Sequence, residues 1–203
     1  MTGYGKQACP IRKGCSGERK CMEIHYSDEM ITVRSMKPED ARIFYDTYLS
    51  YGWHPELSTY ENYYRYQENG VRKVFIAEYE QKVCGLCTLV LKPSGGPWDG
   101  TGYPEIVDLS VFTDSRGKGI GSRLLDAAER EAFRVSDTVC LAVGVHSGYG
   151  AAQRLYVKRG YVFDGSGVWY RGKPLEQYAP CENDDDLVLF MSKSKKKQGG
   201  TEP

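Results

Sequence analysis

A short glycine-rich segment constrains this chain more than any other part of its sequence. Residues 114–125 read DSRGKGIGSRLL and follow the apolar run 105–112. Gly117, Gly119 and Gly121 precede apolar residues at helical spacing, which predicts a strand, a tight turn and then a helix. Glycine permits positive φ and lets a ligand approach the backbone closely. The segment therefore predicts a phosphate-binding turn, where free N–H groups and the helix dipole attract an anion.

The spacing of this segment excludes two common nucleotide-binding motifs. A P-loop requires G-x-x-x-x-G-K-[ST], and the chain does not contain it. A dinucleotide fingerprint, G-x-G-x-x-G, fails because counting from Gly117 and Gly119 brings its last position to Ser122. Arg116 and Lys118 add positive charge beside the turn. A phosphate or pyrophosphate in some other setting, or a tight turn without a ligand, are the alternatives that remain.

Hydrophobic periodicity predicts a mixed sheet with helices packed on it. Strand and helix signals follow one another in the order β-α-α-β-β-β-α-β-α-β-β, which is typical of an α/β (α+β mixed) domain. We predict a flexible N-terminal extension over residues 1-29, one domain over 30-192 and a basic, disordered tail over 193-203. Seven tyrosines and Trp53 fall between residues 45 and 66. They either pack two amphipathic helices or form an aromatic wall of a substrate pocket.

Composition argues against several classes of function. The 203 residues carry 27 Lys+Arg against 27 Asp+Glu, and this zero net charge argues against a general nucleic-acid binder. No run approaches the roughly 18 apolar residues of a membrane span, and the polar N-terminal stretch has no signal-peptide core. We therefore expect a soluble cytoplasmic protein with neither a nucleic-acid nor a membrane partner.

The cysteines do not predict a disulfide framework or a metal site. They number seven, which is odd, and no export signal accompanies them. Cys84 and Cys87 lie three apart in a predicted strand, so their side chains should point to opposite faces and pack in the core. Three cysteines near the N-terminus recur every six residues and could hold zinc with His25, but structural zinc sites usually contain a closer pair. We expect no metal.

Three segments of the chain together resemble one family. Arg116, Gly119 and Gly121 match the motif [Q/R]-x-x-G-x-[G/A] of the GNAT acyltransferases. The upstream strand EIVDLSVF, residues 105–112, resembles the fourth strand of that family. The later AAQRLYVKRGY, residues 151–161, resembles its A-x-x-L-Y-x-x-x-G-[FY] segment. The resemblance covers about residues 31–192, and the order of the segments is that of the family.

The resemblance implies a fold, a donor and an acceptor. The fold is a GNAT-like mixed, mostly antiparallel sheet with helices on both faces and a gap where strands 4 and 5 splay apart. The donor is acetyl-CoA, and the acceptor is a primary amine of a small molecule that attacks directly in a ternary complex. GNAT domains are often dimers, so a homodimer is a further expectation. The implied donor-binding residues are Leu109, Ser110, Val111, Arg116, Gly117, Lys118, Gly119, Ile120, Gly121, Ser122 and Ala152.

The resemblance also implies residues that move protons. Tyr156 matches the tyrosine that is taken to protonate the departing CoA sulfur, and a phenol is protonated at pH 7. Glu105 is the first candidate for the general base, because some members carry a glutamate there. His146, near the expected gap, is the second candidate. Asp108 is the third, because regular alternation puts it on the opposite face from Glu105 unless a bulge intervenes.

Some features leave alternatives open. Tyr149 stands where members of the family often carry an asparagine that contacts the pantetheine arm. The run Asp184-Asp185-Asp186 could receive a cationic acceptor or form a solvated acidic turn. The alternatives to a small-molecule acetyltransferase are a catalytically weak CoA-binding or sensing module and an acetyltransferase that acts on a protein or peptide amine.

Overall fold

The helices and strands of the computed structural model, which describes residues 23–195, follow the predicted order. The strands are β1 (Ile24–Ser27), β2 (Ile31–Ser35), β3 (Arg72–Tyr79), β4 (Lys82–Val90), β5 (Glu105–Val111), β6 (Thr138–Gly144), β7 (Val162–Tyr170), β8 (Lys173–Pro174) and β9 (Leu187–Ser194). The helices are α1 (Asp40–Ser50), α2 (Leu57–Glu68), α3 (Ile120–Val135) and α4 (Gly150–Lys158). Short 3-10 turns precede α3 and α4.

Two strands are not predicted by the sequence pattern. β1 has four residues and β8 has two, which is too short for alternation to be recognised. Because β1 pairs antiparallel with β2, the sheet begins before the predicted boundary at residue 30. β9 likewise runs to Ser194, beyond the predicted start of the tail. Cys9, Cys15 and Cys21 and residues 196–203 lie outside the described part of the chain.

The sheet is antiparallel except at one place. Its strand order is β1-β2-β3-β4-β5-β6-β9-β7-β8, and the parallel pair β5–β6 is joined by the crossover helix α3. Only Glu105 and Ile106 of β5 pair with β6, opposite Cys140 and Leu141. β5 continues to Val111 without β6 beside it, which confirms the predicted gap.

A β-bulge interrupts the pairing of β5 with β4. Val107 opposes Thr88 and Ser110 opposes Leu86, so β5 has one residue more than β4 in this stretch. Asp108 lies in the bulge with φ of +56°, a left-handed conformation that aspartate tolerates better than most residues. The bulge brings Asp108 to the same face of the sheet as Glu105, so the regular alternation considered above does not apply.

The core lies on both sides of the sheet. α3 covers the face to which Gly85 points, whereas α2 covers the face that carries Thr88. Cys84 and Cys87 are both buried in the hydrophobic core, as predicted. Burial raises the pKa of Cys84 to about 11, so its thiol is protonated at neutral pH. No helix within residues 23–195 combines the length and the apolar content needed to cross a membrane.

We expect Gly85→Ala to destabilise the fold, because β4 approaches the bulged strand most closely there. An added Cβ would lie 2.8 Å from the Ser110 carbonyl oxygen and 3.3 Å from Leu124 Cδ1. The backbone contact cannot relax without moving β5, so the loss in the free energy of unfolding should be about 1–3 kcal/mol. Urea unfolding measures it.

Gly150→Ala is the matched control for that substitution. Gly150 begins α4 with an ordinary φ of −55°, and nothing lies within 4 Å of an added Cβ. Its stability should stay level or rise slightly, because alanine favours the helix. Equal stability of the two variants would contradict the close β4–β5 contact.

Candidate active site

The glycine-rich turn lies between β5 and α3, and no other part of the described chain packs against Gly117 or Gly119. Gly117 and Gly119 adopt φ of +79° and +81°, and a Cβ on either would meet nothing within 4 Å. Among the described residues, no acceptor takes the backbone N–H groups of residues 117–121. The first helical hydrogen bonds run from the N–H groups of Ser122 and Arg123 to the Gly119 carbonyl. These free N–H groups at the beginning of α3 can bind an anion.

The two cationic side chains predicted beside this turn have different partners. Arg116 is exposed, and its Nε donates a hydrogen bond to the Val111 carbonyl at 3.2 Å. The Lys118 ammonium lies 4.3 Å from the ring centre of Tyr79, in a cation–π contact. Of the two predicted cations, Arg116 is therefore the one that is hydrogen-bonded to the end of β5, where the turn begins.

The end of β5 offers a free strand edge that leads to the turn. Leu109, Ser110 and Val111 are partly buried, and on the β6 side no strand in residues 23–195 pairs with them. The Ser110 hydroxyl lies 2.5 Å from the Tyr48 hydroxyl of α1. This contact places the Ser110 side chain on the face of the sheet covered by α1 and α2, which together form a helical hairpin. An extended ligand with amide groups can pair with such an edge as an added strand does.

Glu105 lies at the beginning of β5, beside Cys140 in the parallel register with β6. Burial raises its pKa from 4.5 to about 7; the positive charge of Arg72 acts in the opposite direction and the negative charge of Asp108 adds to the rise. A carboxyl group that titrates near neutral pH can take a proton and release it again under ordinary conditions. This is the requirement for a general base.

Asp108 differs from Glu105 because its carboxylate is already paired. Its Oδ2 accepts a hydrogen bond from the Tyr63 hydroxyl of α2 at 2.8 Å and lies 3.4 Å from an Arg72 guanidinium nitrogen. Donors from α2 and β3 therefore hold the Asp108 carboxylate in place. Burial raises the pKa of Tyr63, with the Asp108 charge as the second cause, so Tyr63 remains a donor.

His146 uses both ring nitrogens in local contacts. Nδ1 accepts a hydrogen bond from the Gly148 N–H at 3.0 Å, and Nε2 lies 3.0 Å from Asp185 Oδ1. The acceptor role of Nδ1 assigns the proton to Nε2, which leaves no free lone pair to act as a base. The Tyr149 hydroxyl donates to the same Asp185 oxygen at 2.9 Å. This geometry favours Glu105 over His146.

Tyr156 is buried on α4, one turn after Ala152, which packs against the core. Burial raises its pKa, so the phenol carries its proton at neutral pH. Its hydroxyl forms no hydrogen bond to another residue of the described chain.

Most of the aromatic residues between positions 45 and 66 pack within the helical hairpin of α1 and α2 or against the core. Tyr48 and Tyr60 are buried and stack on one another with ring centres 6.1 Å apart. Trp53 is 51% exposed and lies parallel to the Tyr48 ring at 5.0 Å. The helix-packing interpretation holds for the tyrosines of the core, and Trp53 carries the stack to the surface.

The acidic run before β9 has its own counter-ion. Arg171 lies 3.4 Å from Glu182, 3.9 Å from Asp184 and 4.0 Å from Asp186. Asp185 is bound to His146 and Tyr149. These contacts support the interpretation as a polar turn.

One group of potential metal ligands lies near the N-terminal strand. Glu23, His25 and Glu131 place ligand atoms within 4.8 Å of one another. The ammonium of Lys73 already forms an ion pair with Glu131, so a cation from the chain occupies part of this group. His25 was the ligand considered with the N-terminal cysteines, which lie outside the described residues.

Arg72 and Tyr63 are site residues that no motif identifies. Arg72 pairs with Val90 in the β3–β4 register, and Val90 pairs with Glu105 in the β4–β5 register. Two residues join β3 to β4 in a hairpin, and its register sets Arg72 opposite Val90. The bulge and the contact with α2, however, depend on tertiary packing.

Comparison with known families identifies the class of protein. The model of the acetyltransferase (GNAT) family matches residues 38–161, more than half of the chain. The protein belongs to the GNAT acetyltransferase family, as the resemblance implied. No curated protein matches the sequence.

Solved structures show the same fold at low identity. YncA from Salmonella typhimurium, solved with its cofactor acetyl-CoA, is 17% identical, with a TM-score of 0.62 over 85% of this chain and 98% of that one. Ribosomal-protein-alanine N-acetyltransferase from Brucella melitensis is 20% identical, with a TM-score of 0.60 over 80% and 99%. A chimera of spermidine N-acetyltransferase SpeG from Vibrio cholerae and hSSAT is 18% identical, with a TM-score of 0.59 over 82% and 96%. They confirm the predicted fold class.

We expect the stability of the protein to fall between pH 5 and pH 8 by an amount that Glu105→Gln removes. The pKa of Glu105 is raised in the folded state, from 4.5 to about 7. Its contribution is therefore fully present below pH 4.5 and is lost as the pH rises through 7. The difference should be about 1–3 kcal/mol, allowing for partial exposure. Urea unfolding at both pH values measures it.

Glu61→Gln on the exposed side of α2 is the control for the loss of a carboxylate. It should keep the pH dependence of the wild type. If Glu105→Gln keeps it as well, the pKa of Glu105 is not raised by burial.

Proposed function

We propose that this protein is an N-acetyltransferase that transfers the acetyl group of acetyl-CoA to a primary amine of a small molecule, by direct attack in a ternary complex. The observation that carries the proposal is the free edge of β5, which opens where β5 and β6 separate, leads into the glycine-rich turn and has the half-buried Glu105 at its closed end. Membership of the acetyltransferase family supports the same reaction class.

The features of the turn and of the β5 edge fit the shape of CoA. The free N–H groups of residues 117–121, together with Arg116, would hold the pyrophosphate. The edge of residues 109–111 would pair with the pantetheine amides. Ala152, on the first turn of α4, leaves room for the pantetheine arm of CoA because it has only a methyl side chain. Acetyl-CoA supplies the thioester, whose carbonyl carbon is the electrophile.

Three groups of the chain serve the transfer. Glu105 takes a proton from the amine through one water molecule as the amine nitrogen bonds to the carbonyl carbon, and it releases that proton to solvent afterwards. A backbone N–H of residues 109–111 donates to the carbonyl oxygen as negative charge grows there. Tyr156 gives its proton to the sulfur as the carbon–sulfur bond breaks, and it regains a proton from solvent afterwards. His146 and Asp108 are weaker candidates for the base than Glu105, because both form hydrogen bonds with other residues.

Release of free thiol from acetyl-CoA tests the activity against a panel of amines. The panel comprises polyamines, amino acids, aminoglycosides and peptides with free N-termini, with a thermal-shift titration of acetyl-CoA alongside. Release with a small amine supports the proposal. Release with peptides alone would replace the small amine by a protein acceptor. Stabilisation by acetyl-CoA without release for any amine would instead indicate a CoA-sensing module.

We expect Tyr156→Phe to lower kcat about 10- to 100-fold while the Kd for acetyl-CoA stays unchanged, because only the proton donor is lost. The ring still fills its buried position beside Tyr161. Tyr178→Phe, at a residue that is 94% exposed, is the control and should behave as wild type. An unchanged kcat at saturating acetyl-CoA would exclude Tyr156 as the acid.

We expect Glu105→Gln to change the shape of the pH–rate profile. With an amine acceptor, log kcat/KM of the wild type should rise with a slope of about 2 below pH 7 and about 1 above it, since both Glu105 and the amine must lose a proton. The variant should show a slope of about 1 throughout and a lower rate at pH 8. A bend near pH 7 that survives in the variant would assign the base to another residue.

A further inference from the structure

We propose that Arg72, Asp108 and Tyr63 form a clamp on the bulge of β5 that positions the bulge and sets the pH at which Glu105 works as a base. The three residues come from β3, from β5 and from α2. They are positioning residues, because they act on the reaction through Glu105. The inference rests on the proposed role of Glu105 and adds the control of its ionisation.

Strand register places Arg72 and Glu105 on one face of the sheet. Arg72 pairs with Val90, and Val90 pairs with Glu105, so the three residues form a row across β3, β4 and β5. Directly paired residues project to the same face. Arg72 therefore extends along the face that carries Glu105.

Hydrogen bonds join this row to the bulge. An Arg72 guanidinium nitrogen lies 3.3 Å from Thr88 Oγ1, which itself donates to the Val107 carbonyl at 3.2 Å. The same nitrogen lies 3.4 Å from Asp108 Oδ2. Arg72 thus contacts the bulged residue Asp108 and, at the same time, the Thr88 side chain on the neighbouring strand β4.

Tyr63 completes the clamp from the helical side. Its hydroxyl donates to Asp108 at 2.8 Å, and its ring centre lies 5.4 Å from the Arg72 guanidinium. Asp108 has a φ of +56°, a left-handed conformation that is strained for a non-glycine residue. Two donors on its carboxylate offset this strain and hold the bulge in one arrangement.

The charges of the clamp act on Glu105 in opposite directions. The charged groups that act on Glu105 are Arg72 from β3 and Asp108 from its own strand, and its paired neighbours are Cys140 on β6 and the apolar Val90 on β4. Burial holds the thiol of Cys140 protonated by raising its pKa. One cation and one anion therefore remain as the charged neighbours, and each should be separable by substitution.

The test is the acidic limb of log kcat/KM against pH in four proteins: wild type, Arg72→Met, Asp108→Asn and the double variant. Arg72→Met removes the cation and should move the limb to higher pH by about 0.5 to 1 unit. Asp108→Asn removes the anion and should move it to lower pH by a similar amount. The double variant should lie close to the wild type. Opposite shifts that cancel are a signature that loss of structure alone does not produce.

Two further variants separate charge from position. Arg65→Met removes an exposed cation from α2 and should leave both the rate and the limb unchanged. Tyr63→Phe keeps both charges of the clamp and loses the hydrogen bond to Asp108, so kcat should fall while the limb stays in place. Should Arg72→Met not fold, the downward shift in Asp108→Asn decides the question.

Other outcomes overturn the inference in distinguishable ways. Limbs that stay at the wild-type pH, or that move in the same direction in both single variants, exclude control by the clamp. Disappearance of the limb in Asp108→Asn would make Asp108 itself the base. If Glu105→Gln lacks the limb but the clamp variants do not shift it, the proposed function stands and only the clamp is wrong.

Discussion

The separation of β5 from β6 after two paired residues is the constraint on which the rest of the site depends. Parallel strands normally continue to pair, and here the pairing ends at Ile106. Beyond that point the backbone of β5 has a free edge, and the edge leads directly into the glycine-rich turn. The same separation leaves Glu105 at the closed end of the gap, where burial raises its pKa. The proposed donor edge, anion site and base therefore all follow from one irregularity in the sheet.

The bulge makes that irregularity compatible with a stable sheet. An extra residue in β5 bends the strand while the pairing with β4 continues on either side. Gly85 permits the close approach of the two strands, since a side chain there would meet the Ser110 carbonyl. Asp108 adopts the strained conformation and has two donors to hold it. A half-buried carboxyl group and a strained backbone thus occur together, which is common where stability is traded for chemistry.

The sequence predicts the parts of this site whose chemistry is local. Gly117 and Gly119 identify the turn because few other residues adopt its positive φ. The strand before them, expected over residues 105–112, ends one residue earlier at Val111, and the helix that follows has the predicted apolar spacing. Arg72 and Tyr63 were not predicted, because their role depends on which strands become neighbours and on a bulge that shifts the register. The four-residue strand β1 is likewise too short to carry a pattern.

Electrostatic balance at short range matters more here than the zero net charge of the chain. The proposed anion site consists mainly of backbone N–H groups, with Arg116 beside it, so it needs no broad basic surface. The Glu105 carboxyl lies between one cation and one anion whose effects on its pKa oppose each other. Burial is the largest influence and brings the pKa close to neutrality. A small change in either neighbour would therefore move the working pH of the site without altering the fold that creates it.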